Sequence, residues 1–233
     1  MNDSTPPQDA ALVSLAVSTV IFALRADSEG EPASLRLPLV RRIREPFAGR
    51  WALPGGPIDL TEGIERAAGR HLFDTTALSP TYLEQLYAFG GIDRSPSERV
   101  VSIVYWALVR SEEAELAAVG ENVRWFAADD LPPLAFDHNA IVEYALWRLR
   151  TKVEYSRIAH AFLGEIFTLA ELRHVHEAVL RRALDPANFR RQMESSPAVI
   201  ATGEHLSGGR HRPPRLYRYN DSVALTDRGP LSP

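Results

Sequence analysis

The chain has 233 residues, of which 45% are hydrophobic and 24% are charged, a composition typical of an ordinary globular protein with an apolar core. It contains no cysteine, so disulfides, thiolate metal sites and cysteine catalysis are excluded. The polar N-terminus does not resemble a signal peptide, and no apolar run approaches the roughly 18 residues of a membrane span. We therefore expect a cytoplasmic protein with no membrane partner.

The net charge of −4 is unevenly distributed along the chain. Residues 1–147 carry a formal charge of −9, whereas residues 148–233 carry +5. A basic C-terminal half suggests a nucleic-acid partner, although chance variation in an arginine-rich chain would give the same asymmetry.

Apolar and β-branched runs separated by turn residues predict a mixed α/β domain in the N-terminal half. The expected strands are LVSLAVSTVIFAL (12–24), SLRLPLVRRI (34–43), TYLEQLYAFGGI (81–92), RVVSIVYWALV (99–109) and residues 123–127. One marked helix is predicted between them, capped by Asp59 or Thr61 and ending at about Phe73.

From about residue 136 the apolar residues recur at helical spacing, which predicts a long helix joining the two halves. The residues at this spacing are Ile141, Ala145, Leu149 and Val153. Thr168, with Glu171 three residues later, predicts the start of a second helix. Asp185 and Pro186 predict the start of a short third helix. Residues 197–220 then favour a β-hairpin with a tip rich in glycine and arginine.

Residues 56–78 carry glycine, acid and arginine at a defined spacing. Five residues separate Gly56 from Glu62 and seven separate Glu62 from Arg70, with apolar Leu72 and Leu78 beyond. This pattern resembles the Nudix box, G-x5-E-x7-R-E-U-x-E-E-x-G-U, in which U is a bulky apolar residue. The preceding GRWALPGG also resembles the loop that leads into that box.

The match fails at the acidic positions of the box. They read His71, Asp74 and Thr75, and the last glycine reads Ala77. Positions i, i+3 and i+4 share one helix face. The resemblance implies that this face should present carboxylates to Mg²⁺, which prefers oxygen ligands. Because histidine offers nitrogen and threonine an uncharged hydroxyl, we expect no metal site, no catalytic residue and no efficient hydrolysis.

The retained residues suit binding of a phosphate group. Glycines allow close approach of the backbone, and the adjacent helix N-terminus favours an anion. The candidate ligand contacts are Arg50, Trp51, Gly55, Gly56, Glu62, Arg66 and Arg70.

Each side-chain contact has an ordinary alternative. Trp51, like Phe89 and Phe136, could stack on an adenine, but an aromatic residue in such a domain is more often part of the core. Arg66 and Arg70, which follow Glu62 at intervals of four, also fit a surface ion-pair ladder.

Two helices followed by a hairpin describe a winged helix-turn-helix. The short helix presents Asn and Arg near its N-terminal half, the part that reads base edges in the major groove. Phe189 and Met193 are expected on its buried side. Arginines of the hairpin suit phosphates or the minor groove. The candidate DNA contacts are Asn188, Arg190, Arg191, Arg210, Arg212, Arg215 and Arg218.

The whole arrangement resembles the Nudix-related transcriptional regulators (NrtR), most closely in FTLAELRHVHEAVLRRALDPANFRR and RPPRLYRY. The resemblance implies an α+β fold, with a Nudix-like α/β/α sandwich and mixed sheet at 10–137. A linker helix at 138–156 and a winged helix-turn-helix at 157–222 follow. It also implies a homodimer that binds a palindromic double-stranded operator and represses NAD-metabolism genes. The implied effector is ADP-ribose or a related NAD nucleotide, and no cofactor is required.

Two other functions remain open at this stage. The chain could be a Nudix hydrolase of a nucleoside diphosphate derivative such as ADP-ribose, with the basic half serving as a specificity or dimer module. It could also be a protein-binding adaptor with a basic hairpin. Turnover of ADP-ribose with Mg²⁺ or Mn²⁺ would favour the first, and failure to bind any DNA would favour the second.

Overall fold

A computed structural model describes residues 12–26, 32–80, 82–115, 117, 121–155, 157–206, 213–220 and 222. The N-terminal half contains β1 (Ser14–Arg25), β2 (Ser34–Arg41), β3 (Trp51–Ala52), β4 (Gly55–Pro57), α1 (Ile64–Thr76), β5 (Tyr82–Phe89), β6 (Val100–Val109), α2 (Ser111–Glu115), β7 (Val123–Ala127) and α3 (His138–Tyr155). A 3-10 helix (Arg157–Phe162), β8 (Phe167–Thr168), α4 (Leu169–Leu180), α5 (Pro186–Ser195), β9 (Val199–His205) and β10 (Arg215–Tyr219) follow. The polar N-terminus lies outside the described residues.

The N-terminal half is built on a mixed seven-stranded sheet. Its main order is β3-β2-β1-β6-β5, with β4 paired to β1 and β7 paired to β2. Strands β1 and β6 run parallel, from Ser14 opposite Val100 to Ala23 opposite Val109, and the other pairs are antiparallel. This arrangement confirms the predicted mixed sheet.

Helices cover both faces of the sheet, which explains why β1 is apolar throughout. Val20 and Phe22 pack on one face in the cluster that includes α3, whereas Ile21 packs on the other with Leu72 of α1. A central strand of this kind is buried on both faces, so its polar and apolar residues do not alternate. The predicted α/β/α sandwich is confirmed.

The start of α1 differs from the expectation. The helix begins at Ile64, with Gly63 as N-cap and no side-chain cap. The carboxylate of Glu62 instead accepts a hydrogen bond from the backbone N–H of Asp59 at 3.1 Å, which keeps residues 59–62 in a turn ahead of the helix. The predicted cap at Asp59 or Thr61 is therefore wrong, and the helix ends at Thr76 rather than at about Phe73.

Helix α3 is one continuous helix from the end of the Nudix-like half towards the winged helix, as expected. The four residues at helical spacing are all buried: Ile141, Ala145, Leu149 and Val153. They belong to one apolar cluster that extends from Phe22 to Phe189 and Tyr217. The two halves are thus packed together along α3 rather than joined by an exposed tether.

The C-terminal half has the predicted winged helix-turn-helix order. Thr168 and Glu171 form the capping box of α4, and Asp185 caps α5 by accepting from the N–H of Asn188 at 2.8 Å. Phe189 is buried as expected. Strands β8, β10 and β9 form a three-stranded sheet, and the tip of the hairpin, residues 207–212, lies outside the described residues. No helix in the described ranges is long and apolar enough to cross a membrane.

Candidate functional site

A cavity of about 510 Å³ opens where β1, β4 and the turn before α3 meet. Its lining includes Ser14, Ser18, Arg42, Arg44, Gly55, Gly56, Arg94, Ser102, Phe136 and His138. The size falls within the range of pockets for small molecules and nucleotides. Hydroxyl groups, arginines and one phenyl ring therefore surround a single space, together with the carboxylates of Glu45 and Glu98.

The glycine pair forms one wall of this cavity because no larger residue fits there. A Cβ on Gly55 would lie 2.2 Å from the carbonyl oxygen of Val17 on the neighbouring strand. A Cβ on Gly56 would lie 2.3 Å from the ring of His71. The structure therefore brings both predicted glycines to the cavity, and it places the altered box directly behind them.

The aromatic wall is Phe136, held in the left-handed region with a φ of 54°. Its ring lies edge-on to Phe47 with the centroids 5.0 Å apart. The guanidinium of Arg42 lies 4.7 Å from the ring centroid and that of Arg94 lies 6.0 Å from it. Cations at these distances are attracted to the ring, so the ring and both arginines form one rigid group.

Arg94 is a buried cation of this group. It donates to Asp137 through Nη2 at 2.8 Å and Nε at 3.1 Å, and its side chain is only 5% exposed. Asp137 also accepts the N–H of Ile141 in the first turn of α3. Sequence reasoning missed Arg94 and Arg42 because neither belongs to a motif and both reach the cavity only through tertiary folding.

His138, the first residue of α3, fixes the loop that precedes the glycines. Its Nδ1 accepts the backbone N–H of Leu53 at 3.0 Å. Burial lowers the pKa of His138 from 6.5 to about 3, so the ring is neutral and carries its proton on Nε2. The cavity wall and the start of α3 are thus linked by a direct hydrogen bond.

The altered box forms an ion-pair cluster around Arg70. Its guanidinium hydrogen-bonds Glu62 and lies 3.4 Å from Asp59 and 3.9 Å from Asp74. The hydrogen bond from Arg70, reinforced by the N–H of Asp59, lowers the pKa of Glu62 to about 2. His71 donates through Nε2 to the carbonyl oxygen of Pro57 at 2.9 Å.

These residues do not fit the Mg²⁺ that the Nudix box implies. Mg²⁺ requires several oxygen ligands in near-octahedral geometry. Glu62 and Asp74 are paired with Arg70, and His71 is bonded to Pro57. Among the described residues, no group of three or more histidine, aspartate or glutamate side chains is arranged to hold a metal.

The other predicted ligand contacts lie away from the lining of the cavity. Arg50 is exposed at the β2–β3 loop, where its guanidinium lies 5.5 Å from the ring of Phe47. Trp51 packs edge-on against Phe126, with centroids 5.1 Å apart. Arg66 is exposed on α1.

The candidate DNA contacts that the structure describes lie on α5 and β10 and are exposed. Asn188, Arg190 and Arg191 are exposed on α5, and Arg215 and Arg218 are exposed on β10. Both arginines of α5 have a partner on the same helix. Arg191 donates to Asn188 at 2.7 Å, and Arg190 forms an ion pair with Glu194. Arg210 and Arg212 lie outside the described residues.

The sequence matches two family models that together cover the fold. The NUDIX domain model matches residues 15–145, and the model of the NrtR DNA-binding winged helix domain matches residues 159–219. The chain belongs to the NrtR family. This membership confirms the predicted resemblance, the fold class and the expectation of a DNA-binding transcriptional regulator.

Relatives in this family share the whole arrangement. The "ADPR responsive transcriptional repressor NtrR" of Acinetobacter baylyi is 31% identical over 206 residues, covering 86% of this chain and 81% of its own. The crystal structure of Shewanella oneidensis NrtR complexed with a 27mer DNA is 36% identical with a TM-score of 0.73, covering 88% and 93% of the two chains.

Two further relatives match only the N-terminal half. The NUDIX domain of Shewanella oneidensis NrtR complexed with ADP ribose is 33% identical with a TM-score of 0.53, covering 63% of this chain and 94% of its own. An ADP-ribose pyrophosphatase of Methanocaldococcus jannaschii is 33% identical over 114 residues, covering 48% of this chain and 68% of its own.

Proposed function

We propose that this regulator senses ADP-ribose, or a closely related NAD nucleotide, in the cavity beside Gly55 and Gly56 and represses NAD-metabolism genes accordingly. The observation that carries this proposal is the joining of arginines, an aromatic ring and the first turn of α3 around one nucleotide-sized space. The ADP-ribose complex of the related NUDIX domain supports the choice of ligand.

The cavity offers a distinct partner for each part of such a ligand. Arg42 and Arg94 supply positive charge for a pyrophosphate, and the glycine pair lets its oxygens approach the backbone. Phe136 offers a face for the adenine ring. The contacts of Trp51 with Phe126 and of Glu62 with Arg70 support a structural role for these three residues. Arg50 and Arg66 are exposed and do not line the cavity.

Helix α3 provides a direct connection from ligand to DNA-binding domain. It begins at Asp137 and His138 beside the cavity and carries Arg150 further along. Arg150 donates to Asp129 at 2.6 Å and to the carbonyl oxygen of Val179 in α4 at 3.0 Å. A ligand that prefers one position of α3 therefore shifts the winged helix, whereas equal affinity for both positions would shift nothing.

For DNA binding we propose a homodimer on a palindromic operator, acting in the cytoplasm where the DNA lies. Two α5 helices would enter successive major grooves roughly 34 Å apart. Asn188 and Arg191 would face base edges, and Arg215 and Arg218, with Arg210 and Arg212 of the hairpin tip, would contact phosphates.

We further propose that the Nudix half binds its ligand without efficient hydrolysis and needs no metal cofactor. The ion pairs of Arg70 and the hydrogen bond of His71 support this proposal. The alternative, a functional ADP-ribose hydrolase, is favoured by the likeness to the pyrophosphatase. Release of AMP and ribose 5-phosphate in the presence of Mg²⁺ or Mn²⁺, lost in Asp74→Ala, would support the alternative.

A band-shift experiment tests the proposed regulation. The probe is DNA from upstream of the chain's own gene and of neighbouring NAD-metabolism genes, at one fixed salt concentration because affinity depends steeply on salt. ADP-ribose, NAD and ATP are titrated in parallel. We expect ADP-ribose to change the shifted fraction at concentrations where ATP has no effect. No shift of any of these probes would refute the operator proposal.

A further inference from the structure

An acidic residue lies among the arginines of the DNA-facing surface. Glu194 is in the last turn of α5, and its Oε1 lies 3.4 Å from Nε of Arg190, one turn earlier. The same oxygen accepts a hydrogen bond from the hydroxyl of Tyr217 in β10 at 2.8 Å. One carboxylate therefore joins the recognition helix, its arginine and the wing.

This carboxylate lines a groove between α5 and the wing, which is the hairpin of β9 and β10. The groove has a volume of about 520 Å³ and is lined by Arg190, Glu194, His205, Pro213, Pro214 and Arg215. Gln192 lines a second groove, between α5 and α4. Arg190 and Glu194 thus lie on the flank of α5 that faces the wing, which carries arginines proposed to contact phosphates.

The ion pair itself does little for folding. The side chain of Arg190 is 60% exposed and that of Glu194 is 41% exposed, and exposed pairs of this kind contribute little to stability. The hydrogen bond between Glu194 and Tyr217 contributes more to stability than the ion pair, because the Tyr217 side chain is buried. Burial and Glu194 both raise the pKa of Tyr217, so its hydroxyl stays a donor.

A negative charge at this place repels every DNA phosphate, whatever the sequence. It also occupies Arg190, which would otherwise pair with the nearest phosphate. Specificity is a difference between affinities, and a protein can increase it by weakening its binding to the wrong partner. Arg191, in contrast, donates to the neutral amide of Asn188 and has no carboxylate partner among the described residues.

We propose that Glu194 is a specificity-determining residue, which holds Arg190 away from phosphates and so suppresses binding to duplexes that lack the operator sequence. This inference rests on the proposed placement of α5 in the major groove. Glu194 would therefore affect the difference in affinity between DNA sequences more than the overall affinity for DNA.

The test compares Glu194→Gln with two other variants. Glutamine keeps an oxygen that accepts from Tyr217 and removes only the charge. Glu204→Gln is the matched control, because Glu204 is exposed on β9 and its loss changes the net charge of the same domain equally. Tyr217→Phe removes the hydroxyl and leaves the charge, and thermal unfolding confirms that each variant is folded.

Fluorescence anisotropy is measured on a duplex selected from a randomised library by the wild-type protein and on a shuffled duplex of the same composition. For Glu194→Gln we expect the ratio of the affinities for the selected and the shuffled duplex to fall about tenfold. A change of this size is comparable to the discrimination that one base contact provides. On the shuffled duplex, the slope of log K against log salt should steepen by about 0.9, as for one added phosphate contact. Glu204→Gln and Tyr217→Phe should retain the preference and the slope.

Two results would overturn the inference while leaving the DNA-binding function intact. The first is a Glu194→Gln protein that matches Glu204→Gln in both preference and slope. The second is a loss of preference in Tyr217→Phe equal to that in Glu194→Gln, which would assign the effect to the helix–wing link. A wild-type protein that binds neither duplex would instead refute the proposed function, and this inference with it.

Discussion

Arg94 and Asp137 form a two-fold hydrogen-bonded ion pair, at 2.8 and 3.1 Å, at the point where the cavity meets the first turn of α3. The guanidinium faces the proposed ligand space, while the carboxylate belongs to the residue that precedes α3. An anionic ligand in the proposed site would therefore compete with Asp137 for the same cation. Under the proposed function, this competition would couple ligand binding to the position of α3.

Asp137→Asn should destabilise the protein and increase its response to ligand. Removing one partner of a buried ion pair leaves an uncompensated charge and costs on the order of 3 kcal/mol. ADP-ribose would supply the missing negative charge, so its stabilising effect should be larger in the variant than in the wild type. Urea unfolding with and without saturating ADP-ribose measures both quantities. An equal stabilisation in the two proteins would contradict the proposed role of Arg94.

Restoring the acidic face should restore hydrolysis. His71→Glu combined with Thr75→Glu places two carboxylates beside Asp74 on one face of α1. We expect the double variant to bind Mn²⁺ and to release AMP from ADP-ribose above the wild-type rate. His71→Gln combined with Thr75→Gln is the uncharged control. If the wild type already turns over as fast as the double variant, the proposed loss of activity is wrong.

Arg191→Ala should weaken binding to the operator while leaving ligand affinity unchanged. Arg191 is exposed on α5, and a base contact by arginine contributes about 1–3 kcal/mol. Anisotropy on operator DNA and calorimetric titration with ADP-ribose measure the two affinities. Arg41→Ala, which removes an exposed arginine of β2, is the control for net charge. Undiminished DNA affinity in Arg191→Ala would mean that α5 is not the recognition helix.

The pair of Lys152 and Glu84 fixes α3 against strand β5 and should show strong coupling. Lys152 Nζ lies 2.9 Å from Glu84 Oε2, and its side chain is only 4% exposed. Lys152→Met should cost about 3 kcal/mol because it leaves Glu84 without its counter-charge. The double variant with Glu84→Gln should regain about 1–2 kcal/mol, a coupling that urea unfolding of all four proteins measures. Strictly additive effects would show that the pair does not act as a unit.

Features set by local interactions could be predicted from the sequence. Thr168 and Glu171 lie three residues apart and satisfy the same helix N-terminus, and Asp185 caps the helix that Pro186 begins. The long apolar run of β1 likewise requires a strand covered on both faces. Each of these signals lies within one short segment of the chain.

The cavity could not be predicted in the same way, because its parts come from distant segments. Leu53 and His138 are 85 residues apart in sequence and share one hydrogen bond, and Arg94 and Asp137 are 43 residues apart. The Nudix-box pattern predicted Arg70 as a ligand contact, whereas the arginines that line the cavity include Arg42 and Arg94. The predicted cap of α1 failed for a local reason, since the carboxylate of Glu62 accepts the N–H of Asp59 and α1 begins only at Ile64.

The stability of the protein should fall as the pH is lowered through the unfolded pKa of histidine. His138 has a folded pKa of about 3, lowered from 6.5 by burial. Below about pH 6.5 the unfolded chain therefore binds a proton that the folded chain does not, and the free energy of unfolding decreases by up to about 1.36 kcal/mol per pH unit. The free energy of unfolding continues to decrease with falling pH until the folded pKa of His138 is reached.

Urea unfolding between about pH 7 and about pH 5 measures the contribution of the buried histidines, because the stability that Glu62 gains from its lowered pKa, about 2, is lost only below about pH 5. His176, whose pKa burial lowers to about 4, acts in the same direction. His138→Gln should therefore remove about half of the slope that the two buried histidines produce together. His174→Gln, at an exposed position of α4, is the matched control substitution. A His138→Gln protein with the full wild-type slope would show that the ring is already protonated in the folded state, and the neutral hydrogen bond to Leu53 would then be incorrect.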